Sequence, residues 1–379
     1  MLNLKKFNFL LVLLLFAEGR VMCAGGAGAS FLKIDLGARP VAMGGAFTGL
    51  ADDVDAVYWN PAGLVNVKHL QQTFTHIKWL EEINVEHIAL ATRLTPLSSI
   101  GVGIEYVGMG DIKRVDKSGN DAGYYSASDL AQTFSYARIL KENIFVGGTF
   151  KMISEKIENE SAGAFGLDAG VLYKRKKITY GFAVKNLGTG LTFLKTPASL
   201  PLGLRLGASY SPRKQLMLVS DINMPFDDTL SIHIGGEYYG RKKGIDYALR
   251  AGINTSSLGY MGALSALSLG FGAYFDKFEL DYAFSPRGIF GLTHFITFKM
   301  KFDFQIEDNT WKNKTRLRGN TDDVYREAMR WFNEKTKEEH LTLAEQITIL
   351  ARIIKEFKRQ GADVSSAEKK LRDLKNASR

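Results

Sequence analysis

The residues that could do chemistry in this chain are charged side chains at even spacing inside short alternating segments. Arg93, Lys151, Lys185, Arg205, Arg250, Lys299 and Lys301 share a face with Glu105, Asp168, Asp221, Glu237, Asp246, Glu279 and Asp281, opposite rows of large apolar residues. Seven basic against seven acidic groups suit ion pairs crossing the interior of a closed sheet, because a lone charge away from bulk water is costly. A polar lining that guides a ligand is the other reading. An anion-selective pore would need an excess of one sign, which this set lacks.

Nothing in the chain resembles a catalytic constellation. The histidines, at 69, 76, 87, 233, 294 and 340, have no metal-ligand spacing. No nucleophile-elbow motif occurs. Neither an enzyme nor a cofactor is expected. The single cysteine, Cys23, gives no disulfide framework and no thiolate metal site. Asp52, Asp53 and Asp55 suit either a cation or the first turn of a helix.

The elements that must position these groups alternate with period two. Fourteen strands are expected, at 69–79, 84–95, 99–109, 126–139, 143–155, 162–174, 177–187, 201–211, 215–224, 229–240, 244–253, 264–275, 277–285 and 292–304. In the last, Ile296, Phe298, Met300, Phe302 and Phe304 share one face; Phe295, Thr297, Lys299, Lys301 and Asp303 share the other. Connections after even-numbered strands are one to three residues long, and those after odd-numbered strands run from about four to sixteen. Loops sorted by side in this way mark an all-β transmembrane barrel, fourteen-stranded and antiparallel, with both chain ends on the short-turn, periplasmic side. A soluble sandwich would rarely hold charges regularly on its second face.

Glycines recur at inward positions 101, 103, 166, 170, 270 and 272. A glycine weakens a strand unless something approaches it closely, so a plug or a tightly filled interior is expected. The runs around Gly103 and Gly272 superficially resemble nucleotide-binding loops, but no helix follows them. Basic residues gather in the short turns: Lys141, 175–177, 213–214, 241–243 and Lys277. They suit contact with anionic membrane lipids, or are simply polar turns.

Residues 25–68 do not alternate. They are rich in glycine and alanine, and the run LGARPVAMGGAFTGLADDVDAVYWNPAGL ends in Asn60, Pro61, Ala62 and Gly63. This stretch resembles the amino terminus of PorV/PorQ-type outer-membrane proteins, relatives of the FadL long-chain fatty-acid transporters and of the UPF0164 family. The resemblance covers roughly residues 28–304. It implies a FadL-like barrel with a hatch folded into its periplasmic side, and assigns Asn60, Pro61, Ala62 and the following Gly63 to that hatch. It further implies either transport of a hydrophobic, fatty-acid-like molecule or docking of a secreted or periplasmic protein. For docking, the longest loop, 110–125, with Asp111, Lys113, Arg114 and Asp116, is the natural surface. Independently of the name, Pro61 fixes its own φ and restrains Asn60, whose side chain can bond local backbone; a plain turn into the first strand would use the same residues.

Residues 1–24 read as a signal peptide: Lys5 and Lys6 precede an apolar run from Phe7 to Ala17 that is too short to span a bilayer. Cys23 also raises acylation, for which Met22 is a poor preceding residue. Residues 312–379 hold seventeen Lys and Arg against eleven Asp and Glu, so most of the net charge of +9 belongs to this tail. A secreted barrel meets no nucleic acid. Helices are expected there: one from Thr321, one opened by Thr342 and Glu345 and closed by Gly361, one opened by Ser365 and Glu368. They form a small periplasmic extension after the linker at 305, whose basic faces suit an acidic partner or plain solvent.

Overall fold

The computed structural model describes residues 27–80, 83–116, 118–193, 196–242, 244–258, 262–302, 321–338, 342–359 and 363–377. The expected signal peptide, the last two residues of the fourteenth strand and Gly361 lie outside them. The chain divides into two compact units, 1–305 and 306–379.

In the first unit, fourteen strands close into an antiparallel barrel. They are β1 (Leu70–Lys78), β2 (Asn84–Thr95), β3 (Ser98–Val115), β4 (Asp121–Lys141), β5 (Ile144–Ile157), β6 (Glu160–Arg175), β7 (Ile178–Gly188), β10 (Gly203–Arg213), β11 (Leu216–Pro225), β12 (Ser231–Lys242), β13 (Ile245–Asn254), β14 (Leu267–Phe275), β15 (Phe278–Pro286) and β16 (Leu292–Phe302). A small hairpin, β8 (Leu191–Phe193) with β9 (Thr196–Ala198), sits in the connection after β7. The barrel closes where β1 pairs with β16, Phe74 opposite Phe298. Most strands have one buried face and one exposed apolar face. In β3, Gly101, Gly103, Glu105 and Val107 are buried while Val102, Ile104 and Tyr106 are exposed. This outer belt suits hydrocarbon, and closure satisfies every edge, which is the requirement for spanning a bilayer with strands. Among the described residues no helix is long and apolar enough to cross a membrane.

Two connections differ from expectation. Most of 110–125 is not loop: β3 and β4 run on past the belt and turn only at 116–120, where the Asp116 carboxylate accepts the Ser118 and Asn120 amides. Beyond the bilayer the outward face need not be apolar, so the period-two signal fades while the strands continue. For the same reason β5 and β6 meet in a two-residue turn, Glu158–Asn159, on the side where longer connections are expected.

The second unit holds α3 (Thr321–Glu338), α4 (Leu343–Arg359) and α5 (Ser365–Ala377); α1 (Ala38–Ala42) and α2 (Ala56–Trp59) belong to the first. Tyr325, Phe332, Leu350, Ile354, Phe357 and Ala367 form its core. The expected box at α4 is present. Glu345 accepts from the Thr342 amide at 2.9 Å and its hydroxyl at 2.8 Å, contacts that hold the carboxyl below the usual range. At α5 the box gives way to Asp363, which accepts the Ser365 amide at 3.0 Å; Glu368 instead pairs with Lys358 at 2.8 Å.

Candidate functional site: the filled lumen

Residues 28–67 fold inside the barrel. They form α1 (Ala38–Ala42) and α2 (Ala56–Trp59) with 3-10 turns at Ser30–Lys33 and Pro61–Asn66, and nearly every residue is buried. Aromatic side chains staple the segment to itself. Trp59 Nε1 donates to the Leu36 carbonyl at 3.0 Å, and the Tyr58 hydroxyl donates to the Ile34 carbonyl at 2.9 Å. Phe47 and Tyr58 meet the Trp59 ring edge to face.

The segment reaches both ends of the lumen rather than the short-turn side alone. Gly28 donates to the Ser199 carbonyl, and Lys33 pairs with Asp227, both on the longer-connection side. Pro61–Asn66 packs on β4, β5 and β6, beside the short turns. The reason is apolar: Phe31, Leu32 and Leu36 are buried, and only the interior offers them cover.

On one wall the contact is ionic as well as steric, since Gly235 and Gly252 admit the Met43 and Gly44 backbone there. Arg39, in α1, donates from Nε and Nη2 to the two oxygens of Glu237 at 2.9 Å each, a fork-to-fork pair, and from Nη1 to Asp52 at 2.7 Å and Asp53 at 2.9 Å. Arg250, the cross-strand partner of Glu237, donates to the same carboxylate at 2.6 Å, to the Tyr274 hydroxyl at 2.7 Å and to Asp281. Lys299 lies 2.7 Å from both Asp53 and Asp55, and Glu279 faces Lys301 at 3.5 Å. The three aspartates thus bind side-chain cations, which is the use their clustering has here.

On the opposite wall the contact is steric. Asn60, after α2, donates to the Thr48 carbonyl at 2.9 Å and accepts the Ala62 amide at 3.2 Å. A Cβ on Gly170 would collide with the Asn60 side-chain oxygen, and one on Gly147 would lie 2.5–2.7 Å from Pro61 and Ala62 backbone. Gly63 is pressed against Ala51 in the same way. Of the other inward glycines, Gly101 and Gly103 face Val57 and Gly270 faces Ala42, all in the segment. Gly166 instead meets Leu200 and Gly272 meets Asp281 and Arg250. Asp168 carries this wall's charges: Lys151 at 2.9 Å, Lys185 at 2.6 Å and the Asn186 amide at 2.7 Å. Lys185 also donates to the Tyr58 carbonyl.

Between the walls, Arg205 lies over the Trp59 ring at 4.7 Å and 3.4 Å from Asp35. Asp221 accepts the Phe47 and Thr48 amides at 3.0 and 2.8 Å. Arg93 donates to the Val65 carbonyl at 3.3 Å. Glu105 is buried opposite His87 and makes no ion pair among the described residues.

The expected inward charges therefore do not pair across an open lumen. They pair with strand neighbours or with the segment that fills it. Asp246 and Lys301 keep inward parity but lie exposed at the rim, Asp246 against Arg241. Arg39, Tyr58 and Trp59 as anchoring residues were not evident in sequence. The signal available for Arg39 was that it is the one basic residue between Lys33 and Lys68.

Residues 23–168 match the model of the Uncharacterised protein family (UPF0164). No curated protein matches the chain. Similar solved structures include the Ralstonia pickettii toluene transporter TbuX, 15% identical, covering 70% of this chain and 98% of that one with a TM-score of 0.52. The P. putida toluene transporter TodX is 10% identical over 71% of this chain and 99% of that one, with a TM-score of 0.50. The CymD monoaromatic hydrocarbon channel is 14% identical over 72% and 98%, with a TM-score of 0.50. At these identities the likeness is one of fold alone.

Proposed function

We propose that this chain is an outer-membrane transporter of hydrophobic small molecules whose lumen is closed by residues 28–67 acting as a hatch. One observation carries the reading: the segment is a separately stapled body seated in the barrel by contacts that can be exchanged, not by the strand ladder. The structural neighbours named above, toluene transporters and a hydrocarbon channel rather than enzymes, support a small apolar substrate, aromatic or fatty-acid-like. In this reading Asn60, Pro61, Ala62 and Gly63 seat the hatch at the periplasmic end. The paired charges of Glu237, Arg250, Lys299 and Asp168 hold it shut, and the helical unit extends into the periplasm.

Uptake of toluene and of oleate into cells or vesicles carrying the full chain tests this. Uptake that exceeds a barrel-free control, and leak that rises when Asn60, Pro61 and Ala62 are replaced by glycine, are the expected results. Unchanged uptake and conductance in that variant count against the hatch.

A second reading, docking of a secreted or periplasmic protein, is favoured by the β3–β4 hairpin beyond the belt. There Val115 and Tyr124 are 58% and 64% exposed, and Arg114 stacks on Tyr125 at 5.8 Å. Deleting residues 111–124 separates the two: a protein partner lost while ligand uptake persists favours docking.

A further inference from the structure

The two rims of the barrel differ in how densely unpaired basic residues gather. On the side of the longer connections three basic residues have carboxylate partners, Lys113 with Asp121 at 3.2 Å, Arg114 with Glu158 and Lys33 with Asp227, and exposed Lys78 and Lys156 stand apart from each other. On the short-turn side Lys174, Arg175, Lys176, Arg213 and Lys214 are all exposed, and none of them has an ion pair among the described residues. These five come from two turns, β6–β7 and β10–β11, that are adjacent because β7 pairs with β10. Lys177 ties the turns together by donating to the Pro212 carbonyl at 2.8 Å. The next turn around the rim, β12–β13, adds exposed Lys242 beside Arg241, which is paired with Asp246 at 2.9 Å.

Directly beside this basic arc the outer face carries tyrosines. Tyr173 and Tyr180 are cross-strand partners with rings 6.5 Å apart; Tyr210 pairs with Ile178, and Tyr238 with Leu216. All four are exposed toward the membrane side. Amphipathic rings at a strand end sit at headgroup depth in membrane barrels, with the phenol in the polar layer. Side chains one to three residues beyond them reach the level of the lipid phosphates. Uncompensated positive charge there attracts anionic lipid.

We propose that the arc formed by Lys174, Arg175, Lys176, Arg213 and Lys214, framed by Tyr173, Tyr180 and Tyr210, is a binding surface for anionic phospholipid headgroups of the leaflet on the short-turn side. Its ligand is a phosphate diester with a free negative charge, of the phosphatidylglycerol type, whose acyl chains lie against the outer belt. The surface depends on the barrel spanning a membrane, not on transport or on the hatch, so the two ideas fail separately.

The test is lipid selectivity of the full-length protein folded into phosphatidylcholine vesicles containing spin-labelled phosphatidylglycerol or spin-labelled phosphatidylcholine. The motionally restricted fraction at the protein surface is the readout. At low ionic strength the phosphatidylglycerol probe should be preferred about fivefold, and the preference should fall in high salt. It should vanish in K174Q/R175Q/K176Q/R213Q/K214Q and survive in K113Q/R114Q at the other rim. Equal association of the two probes with the unmodified protein overturns the proposal. So does a folded five-site variant with undiminished preference, or heparin binding that added phosphatidylglycerol fails to displace, which would point to a soluble polyanion. If the five-site variant does not fold, the salt titration of the unmodified protein decides.

Discussion

The two walls of the lumen both seat the segment on glycines, but only one adds a dense network of ion pairs. On β12, β13 and β16 a forked guanidinium, two lysine–aspartate contacts and carboxylates shared between cations act beside Gly235 and Gly252, which admit Met43 and Gly44. On β5 and β6 the grip is a matter of volume, with glycines at 147 and 170 removing the side chains that would exclude Asn60, Pro61 and Ala62. An ionic grip loses strength when either partner is neutralised and tolerates small shifts in position. A steric seat is indifferent to charge and intolerant of a single added carbon. A hatch held by both can loosen at one wall while staying registered at the other.

The contrast is broken most severely by Glu237→Ala. It strips a shared carboxylate from Arg39 and Arg250, both buried, and removing one member of a buried ion pair typically costs about 3–5 kcal/mol. Hydrogen exchange should show residues 38–56 deprotected while the barrel strands stay protected. Exchange unchanged in both regions would mean that the ionic wall does not hold the segment. Next comes Gly170→Val, which overfills the other wall; overpacking of this kind costs about 1–3 kcal/mol. Protease nicking confined to residues near 60–66, with 38–56 still protected, is the expected pattern, and nicking spread over both parts would dissolve the distinction between the walls. Asn60→Ala should weaken the same seat by about 1 kcal/mol through the lost hydrogen bonds, read as a smaller version of the Gly170→Val pattern. Asp246→Ala sharpens the comparison from below. Its carboxylate shares the sequence parity of the buried acids but lies half exposed beside Arg241, where a pair contributes about 0.5 kcal/mol or less. A midpoint of unfolding indistinguishable from the parent is expected, and a large shift would show that parity alone, not burial, sets the importance of these charges.

Much of the barrel was legible because lipid and lumen impose opposite demands on alternate residues, as in Phe298 against Lys299. That signal ended where the demand ended. Past the belt, Ile112, Lys113 and Tyr124 continue as strand without an apolar face to announce it. Inward glycines such as Gly101 and Gly170 announced that something fills the interior, since an unfilled glycine strand is poor physics. They carried no information about which residue would arrive, and the ionic wall was hidden for that reason. Glu237 and Lys299 were visible as inward charges, whereas their partners Arg39, Asp53 and Asp55 sit in a segment without periodicity, more than 180 residues away in the chain.

Pairing of β1 with β16 also has a consequence for how the molecule is made. The last strand to leave the ribosome completes the ring begun by the first, so the ladder can close only after the whole wall exists. Such distant pairings are slow to form. Residues 28–67 precede all of it, and a finished ring offers them no easy entry past paired strands. Assembly therefore favours curling the wall around a body already present, with Arg39 and Asp53 waiting for Glu237 and Lys299 to come into place. The first part of the chain would then serve as a mandrel, setting the girth to which the sheet closes.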